Sequence, residues 1–471
     1  MTAAPASTLL TGISELWTLD PALDDPALGD PALGGTACAA SDGQIIRDAA
    51  LVIEDGRVAW TGPAAQAPDA DAREDLGGRA VLPGWVDSHS HLIFDGDRSA
   101  EFEARMAGEA YAAGGIQVTT DATRAADDER LLALVTARAR AAAAGGTTCL
   151  ETKTGYGLTV AEEQRAARLA ARLVADGVLD EVTYLGAHLV PAEFDGRDGR
   201  PGAAEYVDLV AGEMLEAVAP HVRWIDVFCE TGAFTPEQSA RVLRAGAAAG
   251  LGLRVHGNQL GESGGVALAC ELGAASVDHV NFLADADIEA LAATAARPVR
   301  RDDAGRRDGA GSGGDAGRRD DAGRNDDAGS RGEAGGRDED RLAVDAGPTV
   351  ATVLPACDLS TRAPLAPARR LLDAGAQIAI ASNCNPGTSY TSSMSFCVGT
   401  AVLQMRLSLA EAIRAATRGG ALALRRADVG HLGVGARADL HVLDTLHAID
   451  LAYRPGMPLT HRVLRAGERV G

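Results

Sequence analysis

Apolar and polar positions follow different patterns in different parts of this chain. Between about residues 44 and 85, short apolar runs alternate with turn residues, and Asp55-Gly56 separates two of them, which predicts a β-hairpin. From about residue 80, apolar strand-like runs alternate with helical runs rich in Ala, Arg and Glu. After about residue 430, short strands return at 438–443 and 459–464. We expect these late strands to pair with the N-terminal ones.

Eight of the apolar runs have the length of buried strands, and most precede a helical run. This alternation predicts a closed (β/α)8 barrel, whose functional residues lie at the carboxyl ends of its strands. We therefore predict an α/β protein with a (β/α)8 TIM barrel over 81–430. Residues 1–80 and 431–471 are expected to form a small β-domain from both chain ends. The predicted barrel strands are 80–87, 147–152, 181–187, 224–229, 252–256, 275–280, 349–355 and 377–382.

Residues 297–347 differ in composition from the rest of the chain. They repeat Arg-Arg-Asp-Asp-Ala-Gly with little apolar content, which predicts a disordered insertion. The segment lies between the helical run 285–296 and the seventh predicted strand. It is therefore a helix-to-strand connection, and we expect it on the barrel face opposite the active site, without a role in catalysis.

Histidines stand at the ends of two predicted strands. His89 and His91 are two residues apart, so a strand directs both side chains to one face. Surface strands carry such pairs by chance, but His256 closes another apolar run, in Leu-Arg-Val-His. Three imidazoles favour a Zn or Fe site, and a metal so held lowers the pKa of bound water toward 7.

Lys153 is the only lysine of the chain, and it lies at the end of the second predicted strand. An ammonium and a guanidinium do different work, so its retention points to a specific role. Binuclear barrel amide hydrolases hold a carboxylated lysine on strand four, and strand 224–229 contains none. These observations favour one metal. His188 and His279, at other strand ends, are either proton-transfer groups or structural histidines.

Bulk properties exclude several classes of protein. The net charge of −22 disfavours nucleic acid and anionic membrane surfaces as partners. No apolar run reaches membrane-spanning length, and no export signal opens the chain. The seven cysteines are scattered without a Cys-x-x-Cys pair, which predicts reduced thiols and a cytoplasmic location.

The strand-end motifs together resemble the imidazolonepropionases of the metal-dependent amidohydrolase superfamily, from about residue 44 to the C-terminus. The combination is specific, whereas His-x-His alone indicates only the superfamily. The carrying segments are Pro-Gly-Trp-Val-Asp-Ser-His-Ser-His at 83–91 with Phe-Asp-Gly-Asp-Arg at 94–98, Glu-Thr-Lys-Thr-Gly-Tyr-Gly-Leu at 151–158, Leu-Gly-Ala-His at 185–188, Asp-Val-Phe-Cys-Glu at 226–230, Val-His-Gly-Asn-Gln at 255–259, Asp-His at 278–279 and Asn-Cys-Asn-Pro-Gly-Thr-Ser at 383–389.

This resemblance implies hydrolysis of 4-imidazolone-5-propanoate to N-formimino-L-glutamate, a step of histidine degradation. It implies a distorted TIM barrel with a small β-sandwich domain formed by both chain ends, a homodimer, and one Zn or Fe ion per chain. The implied metal ligands are His89, His91, His256 and residue 383. The implied catalytic residues are His279, His188, Gln259 and residue 383. The implied substrate pocket comprises Arg98, Tyr156, His188, Gln259, Asn385, Gly387 and Thr388.

Two of these positions carry alternatives. The family has an aspartate at the end of strand eight that binds metal and acts as a base, and this chain has Asn383. Asparagine offers a neutral carbonyl and accepts no proton at pH 7, which predicts weaker metal binding and slow or absent turnover, unless residue 383 has been altered. The alternative is a non-catalytic relative that binds metal or ligand. Ring deaminases, a third possibility, carry glutamate where this chain has Gln259.

Arg98 either binds the substrate carboxylate or forms a surface ion pair with Asp95 or Asp97.

Overall fold

The structure, a computed structural model, describes residues 6–23, 44–108, 115–196, 202–295 and 347–470. The predicted insertion 297–347 lies outside these residues, apart from Gly347. The strands are β1 Ser7–Trp17, β2 Ile45–Glu54, β3 Arg57–Pro63, β4 Ala72–Pro83, β5 Trp85–Asp87, β6 Thr147–Lys153, β7 Glu181–Ala187, β8 Trp224–Cys229, β9 Gly252–Gly257, β10 Ser276–His279, β11 Val350–Val353, β12 Ile378–Ile380, β13 Leu440–Leu443, β14 Thr460–Arg465 and β15 Glu468–Val470.

Helices surround strands β5 to β12 and follow most of them. Among the described residues none of these helices is long and apolar enough to cross a membrane. The helices are α1 Ser99–Met106, α2 Ile116–Ala125, α3 Asp128–Ala144, α4 Val160–Ala175, α5 Ala203–Ala211, α6 Glu213–Val218, α7 Pro236–Ala248, α8 Gly265–Leu272, α9 Asp285–Thr294, α10 Pro355–Thr361, α11 Ala368–Asp373, α12 Met394–Gln404, α13 Leu409–Arg414, α14 Gly420–Ala423 and α15 Asp450–Tyr453.

The predicted barrel is confirmed as an eight-stranded sheet in the order β5 to β12. All its strand pairs are parallel, and its strands are almost wholly buried, as expected for apolar runs covered on both faces. The sheet closes beyond the ends of β5 and β12. There the Asn383 N–H donates to the His89 carbonyl, and the His91 N–H donates to the Cys384 carbonyl, both at 2.9 Å.

The predicted domain built from both chain ends is also confirmed, as a seven-stranded sheet in the order β15-β14-β13-β4-β1-β2-β3. The sheet curls over, so that the turn at Gly467 reaches Ile53 of β2 and encloses an apolar core. The predicted hairpin joins β2 to β3, and its turn residues Asp55 and Gly56 have φ of +49° and +73°. Both angles lie in the left-handed region that a two-residue hairpin turn requires.

The run predicted as one strand over 80–87 is divided between the two sheets. Its first part belongs to β4, which pairs with β1 and β13, and only β5 enters the barrel. Gly84 lies at the division, where a Cβ would stand 2.2 Å from Thr148 Oγ1. Only glycine permits this close approach of the backbone to the neighbouring strand. The one-strand prediction was therefore wrong at this point.

Candidate active site

Three histidine side chains converge at the carboxyl end of the barrel. His89 and His91 follow β5, and His256 lies near the end of β9. His91 Nε2 lies 3.3 Å from His89 Nε2 and 3.4 Å from His256 Nε2, and all three side chains are buried. The ligand atoms of the three residues lie within 4.8 Å of one another. This is the separation at which one ion can contact all three nitrogens.

Carboxylates orient two of these rings from behind. The Nδ1–H of His89 donates to Asp278 Oδ2 at 2.6 Å, and His256 Nδ1 lies 3.1 Å from Asp226 Oδ2. A proton held on Nδ1 leaves the Nε2 lone pair free for a ligand. Burial, and then neighbouring positive charge, lowers the pKa of His89 and of His91 well below the ordinary value. Both imidazoles are therefore neutral, which is the form that binds metal.

Asn383 contributes an oxygen beside the histidines. Its side chain is buried and lines the same cavity as His91 and His256. Its Oδ1 has no hydrogen-bond partner among the described residues, and its φ of +49° is rare for a residue other than glycine. Buried polar atoms are almost always paired, so an unpaired oxygen and a strained backbone mark a site for a ligand. The donor set of three imidazoles and one amide oxygen fits a divalent metal.

A cavity of about 490 Å³ opens above the histidines. It brings together all the predicted site residues except His89, which lies beneath the others, and Gly387, which lies behind Arg98. The cavity is lined by His91, Arg98, Ile116, Tyr156, His188, Leu189, Phe228, His256, Gln259, His279, Asn383, Asn385 and Thr388.

Arg98 is buried on the cavity wall. Its Nε and Nη2 donate to Glu101 at 2.7 and 2.8 Å, and its Nη1 occupies the space that a side chain at Gly387 would fill. The surface ion pair considered for Arg98 does not form. Asp95 instead pairs with Arg130, and Asp97 accepts the N–H of Ser99. Glu101 fixes the orientation of a guanidinium that remains on the cavity surface.

Two more histidines, His188 and His279, line the cavity, and both imidazoles are neutral. His188 donates from Nδ1 to the Gly155 carbonyl at 2.8 Å, and burial lowers its pKa to about 4. The loop that contains Gly155 and Tyr156 is held by Glu163, which accepts the N–H groups of Gly155, Gly157 and Leu158. This carboxylate therefore places Tyr156 and fixes the His188 tautomer.

His279 lies at the end of β10 with φ of +83°. Burial, and then the charge of His256, lowers its pKa to about 3. Its ring centroid is 5.5 Å from that of His256. The strained backbone keeps the ring close to the three converging histidines.

The loop after β12 is organised by the Asn385 side chain. Its Nδ2 donates to the Asn383 carbonyl at 2.6 Å and to Thr388 Oγ1 at 2.8 Å. Its Oδ1 accepts the N–H groups of Gly387 and Thr388, both at 2.8 Å. Asn385 lines the cavity, but its amide is engaged within its own loop. We infer that it acts on the pocket by shaping this loop.

Gln259 is held on the opposite wall through its backbone. Glu230 accepts the N–H groups of Gln259 and Leu260 at 2.8 and 3.0 Å. The Gln259 side chain is buried and reaches the cavity.

Sequence reasoning missed the roles of Glu101, Asp226 and Asp278. Asp226 and Asp278 lie inside buried strands, where a charged residue among apolar ones indicates a paired or ligating group. That signal was present in the sequence. Glu101 gave none, because its partner lies three residues earlier on a helix whose position only the fold defines.

Comparison with known proteins places this fold and site in a class. A family model described as Amidohydrolase family matches residues 341–464. A triazine hydrolase variant aligns with a TM-score of 0.64 at 19% identity, over 98% of this chain and 94% of that chain. An adenosine deaminase from Xanthomonas campestris with bound zinc aligns at 0.60 and 16% identity, over 98% and 92%. The fold is that of these hydrolases, and the family model assigns the C-terminal part of the chain to the amidohydrolases.

Closer relatives define the family within that class. The imidazolonepropionase of Micrococcus luteus is 60% identical over 98% of this chain and 99% of its own length. That of Paenarthrobacter aurescens is 56% identical over 99% and 98%. The chain belongs to the imidazolonepropionase family. The family supports a divalent metal, and the three histidines are one group of side chains that could hold it.

Proposed function

We propose that this chain hydrolyses 4-imidazolone-5-propanoate to N-formimino-L-glutamate, a step of histidine degradation. The observation that carries the proposal is the convergence of three imidazoles beneath a cavity with one buried arginine on its wall. The substrate has matching parts, since it joins a planar cyclic amide to a carboxylate. The name shared by the relatives supports the same reaction.

One metal ion per chain, Zn²⁺ or iron, would be held by His89, His91 and His256, with Asn383 Oδ1 as a fourth ligand. When bound, such an ion supplies Lewis-acid chemistry and lowers the pKa of water toward neutrality. Nitrogen and oxygen donors suit both metals, so metal analysis of the purified protein decides between them.

The protein's own residues orient the substrate. Arg98 would bind the propionate carboxylate, because a guanidinium already fixed by Glu101 loses little freedom on binding. Tyr156 and His188, whose rings are 5.4 Å apart, would hold the imidazolone ring, with Gln259, Gly387 and Thr388 around it. Water adds to the ring carbonyl carbon, the ring C–N bond breaks, and the nitrogen takes up a proton.

Proton transfer falls to the neutral histidines in this chain. The amide of Asn383 accepts no proton at pH 7, whereas His279 and His188 line the cavity as free bases. A carboxylate at residue 383 would add a charged ligand and a base. General-base assistance is worth roughly 10²–10⁴-fold, so we expect Asn383→Asp to raise kcat by about two orders of magnitude with KM little changed.

A turnover assay with 4-imidazolone-5-propanoate, on this chain and on Asn383→Asp, tests the proposal. Turnover by either protein supports the reaction. Absence of turnover by both, at full metal content, would refute it. A normal rate for this chain with no gain in Asn383→Asp would mean that His279 or His188 supplies all the base catalysis that turnover needs.

A non-catalytic relative is the second candidate, and Asn383 is the observation that favours it. Such a protein would bind the substrate and remain without turnover, whereas Asn383→Asp would regain it. Calorimetric titration with substrate distinguishes this case from a chain that binds nothing.

We also propose a cytoplasmic homodimer. The family resemblance supports the dimer, and the described cysteines, which are buried thiols, support the location. Light scattering of the purified chain measures the oligomeric state.

A further inference from the structure

Lys153 is the only lysine in a chain with 44 Lys and Arg residues, and its side chain is fully buried. It lies at the end of β6, below the cavity and outside its lining. A lysine is almost never fully buried unless its charge is paired. No role in binding or proton transfer assigned above uses this ammonium group.

The Lys153 ammonium is surrounded by three carboxylates. Its Nζ lies 3.0 Å from Glu151 Oε1, 2.9 Å from Asp226 Oδ2 and 4.0 Å from Asp278 Oδ2. Arg254 is the second cation of this cluster, with Nη2 3.3 Å from Asp278 Oδ2. All five side chains are buried, so their attractions and repulsions are weakly screened.

Each carboxylate contacts a segment that carries a proposed metal ligand. Asp226 lies beside His256 Nδ1, and Asp278 accepts the Nδ1–H of His89. Glu151 Oε2 accepts the N–H of Ser90, the residue between the two histidines of the first motif, at 3.0 Å. The backbone N–H of Lys153 itself donates to the Ser90 carbonyl at 2.9 Å.

The balance of charge explains why a cation is needed at this point. Three carboxylates face two cations, so the cluster carries one net negative charge with Lys153 and two without it. Without the ammonium, Asp226 and Glu151 would repel each other in a dry interior. Relief of that repulsion would move the carboxylates, and with them the histidine rings that they orient.

The shape of the cation also matters. An ammonium is compact and directs three donors to separate oxygens, whereas a guanidinium is a planar fork suited to one carboxylate. Arg254 reaches Asp278 through Nη2 alone, and its Nη1 and Nη2 also donate to the carbonyls of Ala423 and Ser88. The gap between Asp226 and Glu151, with oxygens at 2.9 and 3.0 Å from one atom, fits the ammonium.

We propose that Lys153 is the positioning residue of the metal centre, which places His89, His91 and His256 through Asp278, Glu151 and Asp226. This inference rests on the metal centre proposed above. It predicts that loss of the ammonium weakens metal binding even when the fold is kept.

Competition between the protein and a chromophoric chelator for Zn²⁺ measures this effect. Second-sphere partners of metal ligands are worth about 10–100-fold in metal affinity, and we expect a loss of this size in Lys153→Met. Lys153→Arg should not restore the affinity, because the guanidinium does not fit the gap. The Co²⁺-loaded protein should show altered visible absorption bands, since the ring geometry changes.

Two further variants separate positioning from folding. Lys153→Met with Glu151→Gln removes one charge of each sign, which protects the fold, and it should still bind Zn²⁺ weakly. Arg437→Met breaks a buried ion pair at the other end of the barrel, so it should lower the Tm and bind Zn²⁺ like the unaltered chain.

The outcomes are distinct. Zn²⁺ affinity of Lys153→Met, or of the double variant, within twofold of the unaltered chain would overturn the inference alone. Failure of the unaltered chain to bind Zn²⁺ would overturn the metal centre and the inference with it.

Discussion

The two ends of the barrel both contain clustered charges, but the clusters are built differently. At the carboxyl end, Lys153 and Arg254 stand among Glu151, Asp226 and Asp278, and every side chain is fully buried. At the amino end, arginines tie the barrel to the curled sheet and keep some exposure to solvent. This amino-end cluster consists of Asp180, Glu181, Arg426, Arg437, Asp439 and Arg465.

Arg437 illustrates the amino-end arrangement. It lies 2.8 Å from Asp180 and 2.6 Å from Asp439, and it donates to the Thr148 carbonyl at 2.9 Å, with 16% of its side chain exposed. The Arg437 guanidinium thus links strand β6 to the residues that precede β7 and β13. All three contacts are with protein groups, so Arg437 stabilises the junction between the barrel and the curled sheet.

At the carboxyl end, by contrast, some polar atoms are available to bind a ligand. Asn383 Oδ1 and His279 Nδ1 are buried without a hydrogen-bond partner in the described parts of the chain, and both residues have positive φ. Unpaired groups and strained backbone lower stability, so they persist where a ligand uses them. The difference between the two ends shows that a buried charge cluster does not by itself indicate a ligand-binding site. A buried cluster beside polar atoms that lack hydrogen-bond partners does indicate one.

The largest expected effect lies at the carboxyl end. His256→Ala removes a proposed ligand, and we expect metal content to fall by roughly tenfold or more, with turnover lost. His441→Ala, a buried histidine at the amino end, is the matched control and should keep its metal. Elemental analysis measures both proteins. Two ions per chain, or full metal in His256→Ala, would contradict a single site.

The next largest effect concerns substrate binding. Arg98→Ala should raise KM with a smaller change in kcat, and the loss should be of order 2–4 kcal/mol for a desolvated pair. Arg130→Ala, which breaks the exposed pair with Asp95, should leave KM unchanged. Steady-state kinetics measures both variants. Equal KM values for the two would remove Arg98 from the binding site.

A smaller effect is expected at the amino end on acidification. Burial lowers the pKa of His441 to about 3, so below pH 6.5 the unfolded chain takes up a proton that the folded chain refuses. Stability therefore falls as the pH drops from about 6.5 toward 3, with a slope of up to about 1.4 kcal/mol per pH unit from this group. Above pH 6.5 the contribution vanishes.

His441→Gln should make this dependence shallower. Urea unfolding at pH 7 and pH 5 measures the free energy of unfolding of each protein. An unchanged difference between the two pH values would mean that His441 already titrates normally in the folded chain.

The smallest effect is expected from the insertion. Deletion of residues 299–344, with a short Gly/Ser linker, should leave the Tm and substrate binding unchanged, because the segment is of low complexity and falls in the sequence between α9 and β11. Differential scanning calorimetry tests this. A collapsed thermal transition would show that the segment supports the fold.

The sequence predicted the barrel because parallel strands buried on both faces appear as apolar runs, and all eight were located. It could not predict the division at Gly84, because the run is continuously apolar on both sides of that residue. Which sheet a strand joins depends on the approach of Thr148 from another part of the chain. Such a contact leaves no local signal.

The same limit applies to the site. His89, His91 and His256 were predicted from strand-end position, and the structure brings them together. The prediction left the Arg98 partner open between two aspartates nearby in sequence, whereas a helix presents Glu101. Hydrogen-bond partners require the path of the backbone. The single lysine was informative because its rarity alone indicated a constraint.

Closure of the barrel has a consequence for how the chain matures on the ribosome. The last strand meets the first through the backbone of Asn383 and Cys384, directly beside His89 and His91. During synthesis, His89 and His91 therefore leave the ribosome long before the residues that surround them in the folded protein. The pocket is complete only after residue 388 has left the ribosome, and the curled sheet needs β13 and β14 later still. Binding of the proposed metal would therefore be limited to nearly full-length chains, and a truncated product would have no assembled centre.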